Sequence, residues 1–143
     1  MALMNVMEIA SSGLQAQRLR MQIVSSNLAN INTTKGPGGE PYRRMAPVFE
    51  SVEIGNDFQN SLDEQRKLYG VAVDKVADDS RDPLMVYDPD HPDADARGFV
   101  AMPNINLVEE MTDLMNAARS YEANLAAMQT AKNMAKQALG LGR

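Results

Sequence analysis

Residues 107–139 read LVEEMTDLMNAARSYEANLAAMQTAKNMAKQAL, and within them Leu107, Met111, Leu114, Ala118, Tyr121, Leu125, Met128, Lys132, Ala135 and Leu139 recur at alternating spacings of four and three. That rhythm is the signature of one apolar face on a long α-helix, since residues three and four apart stack on the same side. Lys132 alone interrupts the stripe. Asn106 followed by Glu109 resembles a capping box, in which a short polar side chain accepts from free first-turn N–H groups. Glu109, Glu110 and Asp113 lie early and Lys132 and Lys136 late, which complements the helix dipole. Gly140 and Gly142 are expected to stop the helix, which would then run roughly 50 Å at 1.5 Å per residue.

Working back towards the start, Met7, Leu14, Met21 and Leu28 recur every seven residues, while Leu3, Ala10, Gln17, Val24 and Ile31 fill the offset positions. A second amphipathic helix is expected from Met4 to Asn30, roughly 40 Å long. Gly13 should weaken it by about 1 kcal/mol relative to Ala. Between the helices the texture changes. GPGGEP at 36–41 reads as a loop or flexible hairpin, and Val48 to Ile54, Gly70 to Val76, Leu84 to Tyr87 and Gly98 to Met102 suit short strands. Asn56 to Lys67 is polar and reads as a loop or short helix.

The expected fold class is therefore mainly α with a small β insert: two long terminal helices packed as a coiled-coil-like pair, in residues 1–35 and 104–143, with a β-rich insert in 36–103. An insert of that size holds no large core of its own. Met4, Ile9 and Ile23 on one helix, and Val108 and Met115 on the other, widen the stripes beyond a single seam, so each helix is expected to meet more than one neighbour. Much apolar helix surface would then be ordered only on assembly.

Composition narrows the function. The chain of 143 residues has no Cys, one His, no Trp, 11 Met and a net charge of −5. Disulfides, thiolate metal sites and cysteine nucleophiles are excluded, and a single His91 cannot build a triad or a histidine-rich metal centre. No basic run exceeds Arg43-Arg44, so no nucleic-acid partner is expected. No stretch approaches the ~20 apolar residues of a membrane span, and no cleavable secretory signal is expected in the opening MALMNVMEIASSG. The acidic run DPDHPDAD, residues 88–95, departs from a calcium loop because Pro92 occupies a ligand position and the turn glycine is missing. It reads as a solvated turn. GPGG at 36–39 has no following Lys-Ser/Thr to make a phosphate cradle. Neither a cofactor nor a catalytic residue is expected.

At Ser26, Asn27, Leu28, Ala29 and Asn30, followed by Thr33-Thr34 and Tyr42-Arg43, the sequence resembles the signature ending the N-terminal helix of flagellar rod and hook proteins. The stretches at 86–111 and 118–134, the latter containing Tyr121, Glu122, Ala123 and Asn124, resemble the proximal-rod branch, as does GPGGEPYRR at 36–44. The resemblance implies a structural subunit exported by the flagellar type III apparatus without a cleaved signal. It also implies assembly with other rod proteins, with copies of itself and with an export-gate adaptor at the rod base, in a rod crossing the periplasm.

The stripe residues Met7, Leu14, Met21, Val24, Leu28, Ile31, Leu107, Met111, Leu114, Ala118, Tyr121, Leu125 and Met128 are then the expected intersubunit contacts. Asn27 and Asn30 are expected as helix-end caps or turn formers. Two other readings stay open on the residues alone: a self-contained helical-hairpin adaptor or scaffold, and a hydrolase or calcium-dependent enzyme centred on the acidic run from Asp88 to Asp95.

Overall fold

The computed structural model describes residues 2–54 and 67–140. Its order is helix α1 (Ala2–Ala29), strands β1 (Met45–Ile54), β2 (Leu68–Asp78), β3 (Leu84–Tyr87) and β4 (Phe99–Met102), and helix α2 (Leu107–Gly140). Both terminal helices and all four expected strands form, with ends moved by a few residues. The expected loop or short helix at 56–67 lies outside the described residues except for Lys67.

The two helices lie antiparallel against each other: Asn27 meets Glu110, Arg20 meets Asp113, and Gly13 faces Asn124. The seam is built from small side chains. Ala10 and Ala16 on α1 and Ala117 and Ala131 on α2 are buried, with Ile23 and Val24 the larger apolar groups near the insert. A Cβ on Gly13 would stand 2.7 Å from Asn124 Nδ2, so the glycine that lowers helix propensity also lets the partner helix come close. Asn106 Oδ1 accepts from Val108 N at 3.0 Å, which caps α2 as expected. Gly140 is the last helical residue described, and Gly142 lies outside the described residues.

Strands β1 and β2 form an antiparallel hairpin laid along α1. Pairing runs from Met45 opposite Asp78 to Ile54 opposite Leu68, with a register shift between Val48 and Phe49 that leaves Asp74 as the extra residue. Gly70 is buried where this hairpin meets α1. A Cβ there would collide with the end of Ile54 and lie 2.8 Å from Ser12 Oγ, the atom that accepts from Val71 N at 3.2 Å. A second hairpin pairs β3 with β4, from Leu84 opposite Met102 to Tyr87 opposite Phe99. Val100 and Ile105 turn inward, and the Tyr87 and Phe99 rings meet edge-on with centroids 5.3 Å apart.

The connections are hydrogen-bonded. Residues 33–42 fold back on themselves, with Tyr42 N donating to Thr33 O at 3.1 Å and Gly36 N to Glu40 O at 2.7 Å. Gly39 turns the chain at φ 78°. The acidic run departs from the expected solvated turn at two points. Asp95 Oδ1 accepts from Arg97 N at 2.8 Å and Phe99 N at 2.9 Å, closing the turn into β4. Asp93 reaches across to the 33–42 segment, taking Thr34 Oγ1 at 2.6 Å and pairing with Lys35 Nζ at 2.5 Å. Lys35 and Thr34 hold the Asp93 carboxyl below the usual aspartate range. Asp88 and Asp90 remain exposed.

Two outcomes follow. Gly70→Val should lower stability by about 1–3 kcal/mol through overpacking against α1, whereas Gly38→Ala, with nothing within 4 Å, should change it by less than about 0.5 kcal/mol; chemical denaturation midpoints read both. A depressed carboxyl contributes stability that is present above its unfolded pKa, about 3.9, and is lost as pH falls through the lower folded value. The wild-type chain should therefore exceed Asp93→Asn in melting temperature near neutrality, and the gap should close in acid below the aspartate range.

Candidate functional site

The expected stripe residues divide between two surfaces. On α1, Val24 is buried and Met7, Leu14, Met21 and Leu28 are half-buried, with Ile31 half-buried just beyond the helix. On α2, Leu114, Ala118, Tyr121 and Met128 are half-buried, while Leu107, Met111 and Leu125 stay exposed. The intrachain seam is offset by about one residue from the stripe read in the sequence. It runs through Glu110, Asp113, Leu114, Ala117, Tyr121, Asn124, Met128 and Ala131, and the larger apolar groups outside it form a second face. Leu107 is 48% exposed, Val108 70%, Met111 49%, Met115 54% and Leu125 38%. Among the signature residues, Asn124 packs on Gly13, Glu122, Ala123 and Ala29 are exposed, and the Ser26 hydroxyl lies 3.4 Å from that of Tyr42.

Asn30 behaves as expected: its Nδ2 donates to Ser26 O at 2.9 Å and its Oδ1 accepts from Thr33 Oγ1 at 3.1 Å, finishing the helix end. Asn27 does not. It is wholly buried, in the last turn of α1, and its amide joins the start of β1 to the start of α2. Nδ2 donates to Met45 O at 2.8 Å and Glu110 Oε2 at 3.0 Å, while Oδ1 accepts from Met45 N at 2.9 Å and Tyr42 Oη at 3.0 Å. A primary amide has two donor hydrogens and two acceptor lone pairs, and all are used. Pairing with both backbone groups of Met45 fixes which end of the amide is oxygen.

Glu110 is also fully buried, and Arg44 Nε donates to its Oε1 at 2.6 Å. Around Arg44 stand Asp79 at 3.9 Å and Asp113 at 3.8 Å, and Asp113 is shared with Arg20 at 3.0 Å. Asp79 is closed by Arg81 at 2.7 Å, whose side-chain bond, followed by its backbone N–H, draws the Asp79 carboxyl below its ordinary value. The buried carboxylate is therefore matched by a cation and by hydrogen bonds, the condition under which a buried charge is tolerated. α1, β1 and α2 all contribute to this clamp, together with Asp79 just beyond the end of β2.

Sequence reading missed the clamp. From sequence alone Glu110 reads as a first-turn charge complementing the helix dipole and Arg44 as half of a basic pair. The available signal was Glu110's place three and four residues before Asp113 and Leu114, on the covered face. Among the described residues no three of His, Asp and Glu gather as a metal site, and no helix is long and apolar enough to cross a membrane.

Arg44→Met strands the Glu110 carboxylate, so a loss of about 3–5 kcal/mol is expected. Adding Glu110→Met should recover part of that loss, because no buried charge then lacks a partner. A double-mutant cycle by urea denaturation measures the coupling.

Comparison with known proteins matches both ends of the chain. Residues 7–37 fit the family model described as flagella basal body rod protein, and residues 96–141 fit that of the flagellar basal body rod FlgEFG protein C-terminal. A flagellar basal-body rod protein FlgC of Bacillus subtilis is 42% identical over 146 residues, covering 96% of this chain and 96% of the relative. That of Salmonella typhimurium is 40% identical over the full length of both chains, 143 residues. That of Aquifex aeolicus is 42% identical over 134 residues, 94% of this chain and 92% of the relative. With an N-terminal helix, a C-terminal helix and the intervening insert all covered by these alignments, the chain belongs to the FlgC family of flagellar basal-body rod proteins.

Proposed function

We propose that this structural subunit of the flagellar basal-body rod joins its neighbours through the uncovered apolar face of α2, while the clamp at Asn27, Arg44 and Glu110 holds the insert at one angle to the helix pair. The observation that carries this reading is the division of labour on α2. Small groups such as Ala117 and Ala131 are buried within the chain, whereas Leu107, Val108, Met111, Met115 and Leu125 stay in water. Large apolar groups exposed together on one helix face mark an interaction surface. Its burial by neighbours would supply roughly 25 cal/mol per Å².

In this reading the subunit lies in the proximal part of the rod, where the paired terminal helices line the export channel and form part of the drive shaft as it crosses the periplasm. Its contacts are copies of itself, other rod proteins and the export-gate adaptor at the base, after delivery by the type III apparatus. The half-buried stripe residues of α1, Met7, Leu14, Met21 and Leu28, border a second contact.

The test separates folding from assembly. Leu125→Asp lies on the uncovered face, so the isolated chain should keep its stability to within about 0.5 kcal/mol, yet cells carrying it should lack the subunit in purified basal bodies and fail to swim. Leu114→Asp falls on the seam between Asp113 and the buried Ala117 and should instead destabilise the isolated chain by about 1–3 kcal/mol. Normal swimming with Leu125→Asp removes the outer face from the assembly surface.

A further inference from the structure

The exposed face of α2 has a chemical property that shape alone does not require: its first turns present thioethers. Met111 and Met115 lie four residues apart and are 49% and 54% exposed, beside Leu107 and Val108 at 48% and 70%. Residues at that spacing stack on one face of a helix, so the two sulfur atoms belong to one apolar patch. The methionine pair begins one residue from Glu110, whose clamp anchors this end of the helix against α1 and β1. Met21, Met45, Met102 and Met128 are by contrast half-buried, while Met4, Met85 and Met134, exposed at 73%, 58% and 58%, stand outside this patch. With no Cys among the 143 residues, no thiol competes for an oxidant within the chain, and methionine is its most readily oxidised side chain.

We propose that Met111 and Met115 form a peroxide-sensitive modification site that controls whether a free subunit can enter the rod. A hydroperoxide transfers one oxygen atom to the thioether sulfur; the O–O bond breaks, the sulfur is oxidised to the sulfoxide, and hydrogen peroxide leaves as water. The product is polar and chiral, and it stands where the assembly surface has to be desolvated. Burial against a neighbour protects the same sulfur atoms after assembly. The modification is of the class reversed by methionine sulfoxide reductases, so a blocked subunit is recoverable. This inference rests on the reading of the α2 outer face as an assembly surface.

The experiment has two arms. In the first, the purified full chain is titrated with hydrogen peroxide and each methionine is followed by peptide mass spectrometry. Met111 and Met115 are expected to oxidise several-fold faster than Met21, Met45, Met102 and Met128. In the second, cells lacking the native gene express Met111→Gln/Met115→Gln, which mimics sulfoxide polarity, or Met111→Leu/Met115→Leu, which removes sulfur and keeps the face apolar. The glutamine pair should lose swimming and leave the subunit outside basal bodies; the leucine pair should swim, including after a peroxide pulse that slows the wild type. Equal oxidation of all methionines overturns the inference and leaves the assembly reading intact. Loss of swimming with both pairs also overturns it, since shape and not polarity would then govern. Normal incorporation of the glutamine pair overturns both the inference and the assembly reading.

Discussion

The structure depends on the desolvation of one side-chain amide and one carboxylate. Asn27 and Glu110 are both fully buried, and each would be strongly unfavourable there without partners. Their partners come from elements far apart in the sequence: Met45 at the start of β1, Tyr42 in the turn before it, and Arg44 between them. The bonds can all form only when α1, β1 and α2 sit in one relative position. Apolar burial is non-directional and would allow the insert to slide along the helices; a fully used amide would not.

Beyond the clamp, the fully buried groups of the helix seam away from Ile23 and Val24 are small. They are Ala10, Ala16, Ala117 and Ala131, with Gly13 among them and Leu114, Tyr121 and Met128 half-buried alongside, and alanine burial removes only modest apolar area from water. Close approach is what the small residues gain, and it places the backbones near enough for Asn124 to touch Gly13. The large apolar groups are consequently turned outward, on α2 above all. A subunit arranged in this way is fixed at the insert end and unsaturated along its outer face, a combination suited to a part completed by its neighbours.

Much of this was legible in the sequence because periodicity reports helices and alternation reports strands regardless of what packs on them. The stripe beginning Leu107, Met111, Leu114 announced α2, and the apolar runs at 48–54, 70–76, 84–87 and 98–102 fell within or beside the four strands. Periodicity did not say which stripe meets which partner. Small residues score weakly as hydrophobic, so the Ala and Gly seam was hidden beside a louder Met and Leu pattern offset by about one position. The role of Asn27 was hidden for another reason. An Asn near a helix end has a sufficient local explanation as a cap, and only the return of residues 42–45 and 110 to the same place shows that its partners are distant. The Asp93 tie to Thr34 and Lys35 was concealed likewise, since a Pro- and Asp-rich run accounts for itself as a turn.

Residue-resolved hydrogen exchange on the full-length monomer tests most directly whether order radiates from the clamp. Amides around Ser26 to Asn30, Met45 and Glu110 to Leu114 should be the slowest, and protection should decline along both helices towards Val6 on α1 and Met134 on α2, where the fully buried groups of the pair are small. Uniform slow exchange along both helices would contradict the account and describe a self-sufficient hairpin; fast exchange at Asn27 and Glu110 themselves would show that the buried amide and carboxylate do not hold the subunit together.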